Sequence, residues 1–215
     1  MILQLNKVFV QIGTNDGNDD FLNLVKRNKP SKVVLVEPNV LYIPKIVSNY
    51  KDIDNVFIEN VAITELDKGL VKLVVPKNEN NGKSINGIDY GDPTYNAGYS
   101  LIPMDDWGNN LHTIESNSMT FEDLCEKYEI SDIHYLQIDT EGYDSEIIKS
   151  IDFTKVSIDF IKYEIWPFQE TAFKRHGKKS SLYGANGMKS VFNLLESLNY
   201  TVIKDGNDMI AIKKK

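Results

Sequence analysis

The sequence has a single cysteine, Cys125, among 215 residues, so no disulfide can form within the chain. That fits a reducing compartment. Excess positive charge is also absent: 24 Lys and Arg face 31 Asp and Glu, for a net charge of −7. A surface of that sign argues against non-specific nucleic-acid binding. The short Lys213-Lys214-Lys215 end does not reverse it. No apolar run approaches the roughly 20 residues of a membrane span. Met1 to Leu5 lacks the charged start and long apolar stretch of a signal peptide. Together these absences lead us to expect a soluble, cytoplasmic protein that engages neither membrane nor nucleic acid. Cys125 follows Leu124 in a helical pattern, which suits a core filler rather than a nucleophile.

What is present is an alternation of apolar runs with amphipathic segments. That pattern belongs to a parallel sheet with helices on both faces. Strands are expected at 7–12, 32–37, 55–63, 70–75, 133–139 and 157–165. Helices are expected at 19–27, 40–50, 119–128, 143–150 and 188–198. A capping box from Thr120 to Asp123 would open the third helix. Segments 200–204 and 209–213 flank an Asp205-Gly206 turn and read as a hairpin. Residues 76–117 are rich in Asn, Gly, Asp and Pro and show little periodicity. At about 40 residues this stretch is too long for a plain connection, and we read it as a substrate-covering insertion. A second polar loop is expected at 167–187. No repeat or linker divides the chain, so residues 1–215 read as a single α/β domain.

Four places can carry chemistry. The first is QIGTNDG (residues 11–17), between a strand and a helix. Gly13 and Gly17 permit a sharp turn and a close backbone approach to a ligand. A dinucleotide fingerprint needs a third glycine, and a phosphate loop needs Gly-Lys-Ser/Thr; both are missing. The second is Glu37, 20 residues beyond Gly17, followed by Pro38. An acid at the end of the second strand can accept hydrogen bonds from both hydroxyls of a ribose. The third is LQIDTEGYD (residues 136–144), which places Asp139 and Glu141 at a strand end. The fourth, YEIW (residues 163–166), places Glu164 at the end of the adjacent strand. Asp139, Glu141 and Glu164 would converge to bind a cation, accept a proton or hold a ligand. His134 reads as structural. His112 falls in the insertion, and His176 lies in a basic loop where it is a candidate general base.

These stretches resemble the FkbM-type methyltransferases over nearly the whole length. The resemblance rests on QIGTNDG (11–17), VEPN (36–39), NVAI (60–63), FEDL (121–124), LQIDTEGYDSEII (136–148) and KYEIW (162–166). It implies a Rossmann-like methyltransferase fold: a seven-stranded, mostly parallel sheet with a C-terminal antiparallel hairpin. It implies S-adenosylmethionine as cofactor and methyl transfer to a hydroxyl of a sugar, glycan or natural product, leaving S-adenosylhomocysteine (SAH). The matched positions place Gln11, Gly13, Asn15, Asp16, Gly17, Glu37, Pro38, Ala62, Asp139 and Glu141 in the cofactor site, Ala62 near the adenine. Asp139 leads the catalytic candidates, with Glu164 and His176 beside it. Asp139 and Glu164 could also hold magnesium, by analogy with catechol-type enzymes. Two positions depart from the family pattern: Gln11 replaces the usual acid, and Gln137 replaces a common lysine. Two other readings stay open here. One is a Rossmann-type nucleotide-sugar or NAD-dependent enzyme; the other is a cofactor-binding protein without catalysis.

Overall fold

The computed structural model describes residues 7–76, 84–85, 88–89, 100–101, 111–164 and 185–215. The chain begins with β1 (Val8–Ile12), α1 (Asp20–Asn28) and β2 (Lys32–Val36). A 3-10 turn (Val40–Tyr42) leads into α2 (Ile43–Tyr50), then β3 (Val56–Glu59), β4 (Ala62–Ile63) and β5 (Leu70–Pro76). Two short strands, β6 (Ser84–Ile85) and β7 (Ile88–Asp89), precede β8 (Leu111–Met119) and α3 (Phe121–Lys127). The remainder comprises β9 (Asp132–Ile138), α4 (Asp144–Ser150), β10 (Ser157–Glu164), α5 (Ala185–Ser197), β11 (Tyr200–Asp205) and β12 (Asp208–Lys213).

The main sheet has seven strands in the order β11-β12-β10-β9-β1-β2-β3. All are parallel except β12, which runs antiparallel between β10 and β11. Its central strands are buried on both faces, which is why they read as unbroken β-branched runs. Val33 to Val36 are fully buried, as are Ile133, Leu136 and Ile138. Helices α3, α4 and α5 contribute Leu124, Ile147, Ile148, Val191 and Leu195 to one core. Helices α1 and α2 close a second around Phe9, Phe21, Leu35 and Ile46. Cys125 sits in the first, and burial raises its thiol to about 12, in keeping with a packing role. His134 pairs with Asp159 at 2.8 Å and stacks on Phe9, a structural setting.

The capping box forms as expected: Thr120 Oγ1 accepts from Asp123 N, and the Asp123 carboxylate accepts from Thr120 N. So does the C-terminal hairpin. Two expectations fail. The strand expected at 55–63 breaks after Glu59, where Asn60 Nδ2 donates to the carbonyls of Glu37 and Pro38 at 2.8 and 3.0 Å. Its second half, β4, joins a separate three-stranded sheet, β4-β8-β5. Residues 111–117, which the sequence places in the weakly periodic insertion with no strand assigned, belong to β8, which pairs antiparallel with all of β5. Its buried positions include Ser116 and Ser118, so the alternation is real but not hydrophobic. Among the described residues no helix is long and apolar enough to cross a membrane.

The exit of β1 is the tightest part of the fold. Gly13 has φ +82°, and a Cβ on it would lie 1.7 Å from the Asp139 carbonyl oxygen. That approach is to the protein's own backbone, so a side chain at 13 disrupts the fold before any ligand is involved. We expect Gly13→Ala to cost about 3 kcal/mol or more, from the forced separation plus the positive φ. Chemical denaturation checks it; native-like stability would show that the two strand exits can part freely.

Candidate functional site

The carboxyl ends of β1, β2 and β9 meet in one cleft, as open α/β sheets direct. Gly13 N and Thr14 N both donate to Val36 O, at 2.9 and 3.1 Å, and Asp139 N donates to Ile12 O at 2.9 Å. These bonds lock the three exits together. Glu37 follows directly. Its Oε2 accepts from Asn15 N at 2.7 Å and its Oε1 from Asn39 N at 2.8 Å. Only 5% of Glu37 is exposed, and burial pushes its carboxyl up to about 7, against the pull of those two amides. A carboxylate has about four acceptor positions, so two remain for hydroxyl donors from the cleft.

The cleft is lined unequally. The main sheet's strand ends supply its polar groups: Asn15, Glu37, Asp139, Thr140 and Glu141. The small sheet's side supplies only apolar ones: Val61, Ala62, Ile63, Leu73 and Leu101. The rings of Tyr42 and Tyr143 complete it. The Tyr143 hydroxyl is engaged outside the apolar wall, donating to Glu65 and accepting from Lys68 Nζ at 3.3 Å.

Seven of the ten sequence-derived cofactor positions line this cleft: Gly13, Asn15, Glu37, Pro38, Ala62, Asp139 and Glu141. Gln11, Asp16 and Gly17 do not. Gln11 is buried and donates from Nε2 to Asp19 Oδ2 at 2.5 Å, bracing the residue that caps α1. Asp16 accepts from Asn18 N. Gly17 faces α2: a Cβ there would meet the Tyr50 ring at 3.1 Å, so the glycine serves helix packing. Gln137 sits opposite Gln11 in the β1–β9 register and is buried. His176 and Trp166 lie outside the described residues. Sequence reasoning missed Tyr42, Leu73, Leu101, Thr140 and Tyr143 as lining groups.

It also undervalued Asp144. Its place at the start of α4 suggests no more than helix N-terminal charge, yet it is fully buried. Its Oδ2 accepts from Thr140 N and Oγ1 at 3.2 and 2.6 Å, and its Oδ1 accepts from Glu164 N at 3.1 Å. One carboxylate therefore ties the loop after β9 to the end of β10. Burial raises it only to about 6, because those donors hold it down.

Asp139 and Glu164 lie at neighbouring strand ends, one step beyond the Ile138–Tyr163 pair. Asp139 opens to the cleft, but protein surrounds it deeply enough that desolvation, with Asp144 and Glu141 nearby, raises it to about 8. Glu164 is raised further, to about 10, by burial and then by Asp139, Glu141 and Asp144. Its Oε2 is buried without a hydrogen-bond partner. A retained proton relieves this crowding. Among the described residues no group of three or more His, Cys, Asp or Glu is arranged to hold a metal ion. The magnesium expected at Asp139 and Glu164 is thereby left without support.

The family model of the methyltransferase FkbM domain matches residues 11–202. The chain belongs to the FkbM methyltransferase family. No curated protein matches it. An O-methyltransferase from Bacillus cereus in complex with SAH aligns with a TM-score of 0.52 at 10% identity, over 99% of this chain and 77% of that one. A methyltransferase FkbM from Methylobacillus flagellatus KT aligns at 0.49 and 11% identity, over 97% of this chain and 44% of that one. This FkbM methyltransferase thus spans less than half the length of that protein. The Bacillus cereus alignment shows the shared Rossmann-like methyltransferase fold, with its parallel sheet and antiparallel C-terminal strands.

The acid cluster sets a pH dependence in this family member. A carboxyl raised from 4.5 to about 10 contributes stability that is complete below pH 4.5 and is lost as pH climbs towards 10. Glu164→Gln is neutral throughout and escapes that loss. We expect the apo protein to lose stability from pH 6 to 9, and Glu164→Gln to lose less, overtaking the parent at the alkaline end. Melting curves across that range check it; parallel pH profiles would show that Glu164 ionises normally.

Proposed function

We propose that this S-adenosylmethionine-dependent FkbM methyltransferase methylates a hydroxyl of a sugar, glycan or natural product. The observation that carries the reading is the place of Asp139: an acid at the end of β9 that opens to the cleft beside Glu164, with burial and the neighbouring Asp144 and Glu141 raising its affinity for a proton. An acceptor hydroxyl must lose its proton as it is methylated, and a base works best with a pKa near the operating pH. S-adenosylmethionine, when bound, supplies a methyl group already activated by its sulfonium. The chain's own work is alignment and proton removal. Glu37 offers two acceptor positions suited to a ribose, and the cleft's acids favour a ligand that carries positive charge. Asp139 takes the hydroxyl proton. Glu164 beside it, buried with an unpartnered oxygen and raised by burial and the neighbouring acids, favours its neutral form and so limits the negative charge next to Asp139. The structurally similar Bacillus cereus protein is an O-methyltransferase, which is consistent with this chemistry. A cytoplasmic location, and a small-molecule or glycan acceptor rather than nucleic acid or membrane, belong to the same proposal.

The test uses S-adenosylmethionine labelled in its methyl group, offered with panels of sugars, glycans and polyhydroxylated natural products. The expected outcome is label on oxygen of one acceptor class. Asp139→Asn should lower that turnover roughly a hundredfold or more, the usual worth of a general base. Its affinity for SAH should stay within a few-fold of the parent. Label on nitrogen or carbon, or full turnover by Asp139→Asn, would refute the reading.

A further inference from the structure

The small sheet touches the cleft at a place that the fold alone does not explain. Ser100 is completely buried. Its N donates to Val74 O at 3.0 Å, and its O accepts from Val74 N at 2.8 Å, which fastens it to β5. Its Oγ donates to Glu141 O at 3.0 Å, which fastens it to the loop after β9. The next residue, Leu101, packs on the cluster of Ala62, Val71 and Leu73 and lines the cleft. We infer that Leu101, pinned by Ser100, is a specificity residue for the cofactor: it completes an apolar wall that receives the nucleoside base. The inference rests on the cleft being the S-adenosylmethionine site and goes beyond it.

The partition of the cleft supports this. The lining carboxylates, with Asn15 and Thr140, come from the ends of β1, β2 and β9, the Tyr42 and Tyr143 rings from the segments that follow β2 and β9, and the wall from Val61 to Leu101 supplies apolar side chains only. The wall adjoins Glu37 directly: Glu37 N donates to Glu59 O at 2.9 Å, and Asn60 Nδ2 holds the Glu37 carbonyl. The residues that follow, Val61 to Ile63, begin the wall. A ligand with a flat, uncharged ring on one side of a hydroxylated sugar, and charge on the other, matches that order. The ring meets the wall, the sugar meets Glu37, and the charged end meets the acids. Ser100 and Leu101 lie within residues 76–117, expected from sequence to cover the acceptor. The inference gives this part of that stretch to the cofactor instead. Ser100 is the positioning residue and Leu101 the contacting one.

Calorimetry with SAH and with 5′-methylthioadenosine, which lacks the amino-acid end, separates the possibilities. Leu101→Ala should weaken both ligands by the same factor, roughly tenfold for three apolar carbons withdrawn from a base. Ser100→Ala should weaken both by roughly threefold through loss of one hydrogen bond. Leu101→Met, of similar volume, should stay within about twofold of the parent. Melting curves accompany each variant, and Ser100→Ala carries the test if Leu101→Ala proves unstable. Parent-like affinity of the folded variants for both ligands overturns the inference while leaving the cofactor cleft intact. If the parent binds neither ligand, the cleft assignment fails first, and the inference with it.

Discussion

The chain leaving β1 passes so close to the carbonyl of Asp139 that no side chain fits between them. Much of the site follows from that contact. It brings the ends of β1 and β9 to the same depth, where Asp139 N reaches Ile12 O. It turns the next residues so that the Asn15 amide points at Glu37. Glu37 can then be buried with both carboxylate oxygens hydrogen-bonded, because two amides from two loops share it. A glycine is needed at 13 for this geometry, as the positive φ confirms. The loop after β1 is therefore first a closure of the protein on itself. Its value for binding comes from what that closure presents.

What it presents is an excess of carboxylates. Asp139, Glu141, Asp144 and Glu164 share a small volume, and each is raised by burial. They differ in how that cost is met. Asp144 accepts three hydrogen bonds and rises least among the three whose values are resolved. Glu164 has a buried oxygen with no partner and rises most. Asp139 lies between, open to the cleft. The same residue type is thereby divided by its surroundings alone into a tie between loops, a carboxyl buried without a partner and one that faces the cleft.

Much of this was legible in the sequence. The β-branched runs at 32–36 and 133–138 announce strands buried on both faces, and the acids placed just after them announce a site at the strand ends. Glu37, Asp139 and Glu141 were readable because they sit at such ends. Other features were hidden for physical reasons. Strand β8 turns Ser116 and Ser118 inward, so no hydrophobic alternation betrays it. Asn60 breaks the third strand through bonds to a loop distant in sequence. Leu73 reaches the cleft from a separate sheet and Leu101 from a residue next to one bridged to it, and only tertiary pairing brings them there. Asp144 looks like any acid at a helix start until its three partners are seen. Gly17 looks like part of a ligand loop, yet its neighbours are Tyr50 and Ile46.

The central claim is that the cleft at the ends of β1, β2 and β9 holds the cofactor, with Glu37 at the sugar and the small sheet at the base. A crystal structure of the protein with SAH tests it most directly. The account requires ribose hydroxyls within hydrogen-bond distance of Glu37, with the amides of Asn15 and Asn39 still on its carboxylate. It requires the base against Ala62, Leu73 and Leu101. SAH bound elsewhere, or lying in the cleft with its ribose away from Glu37, would contradict it.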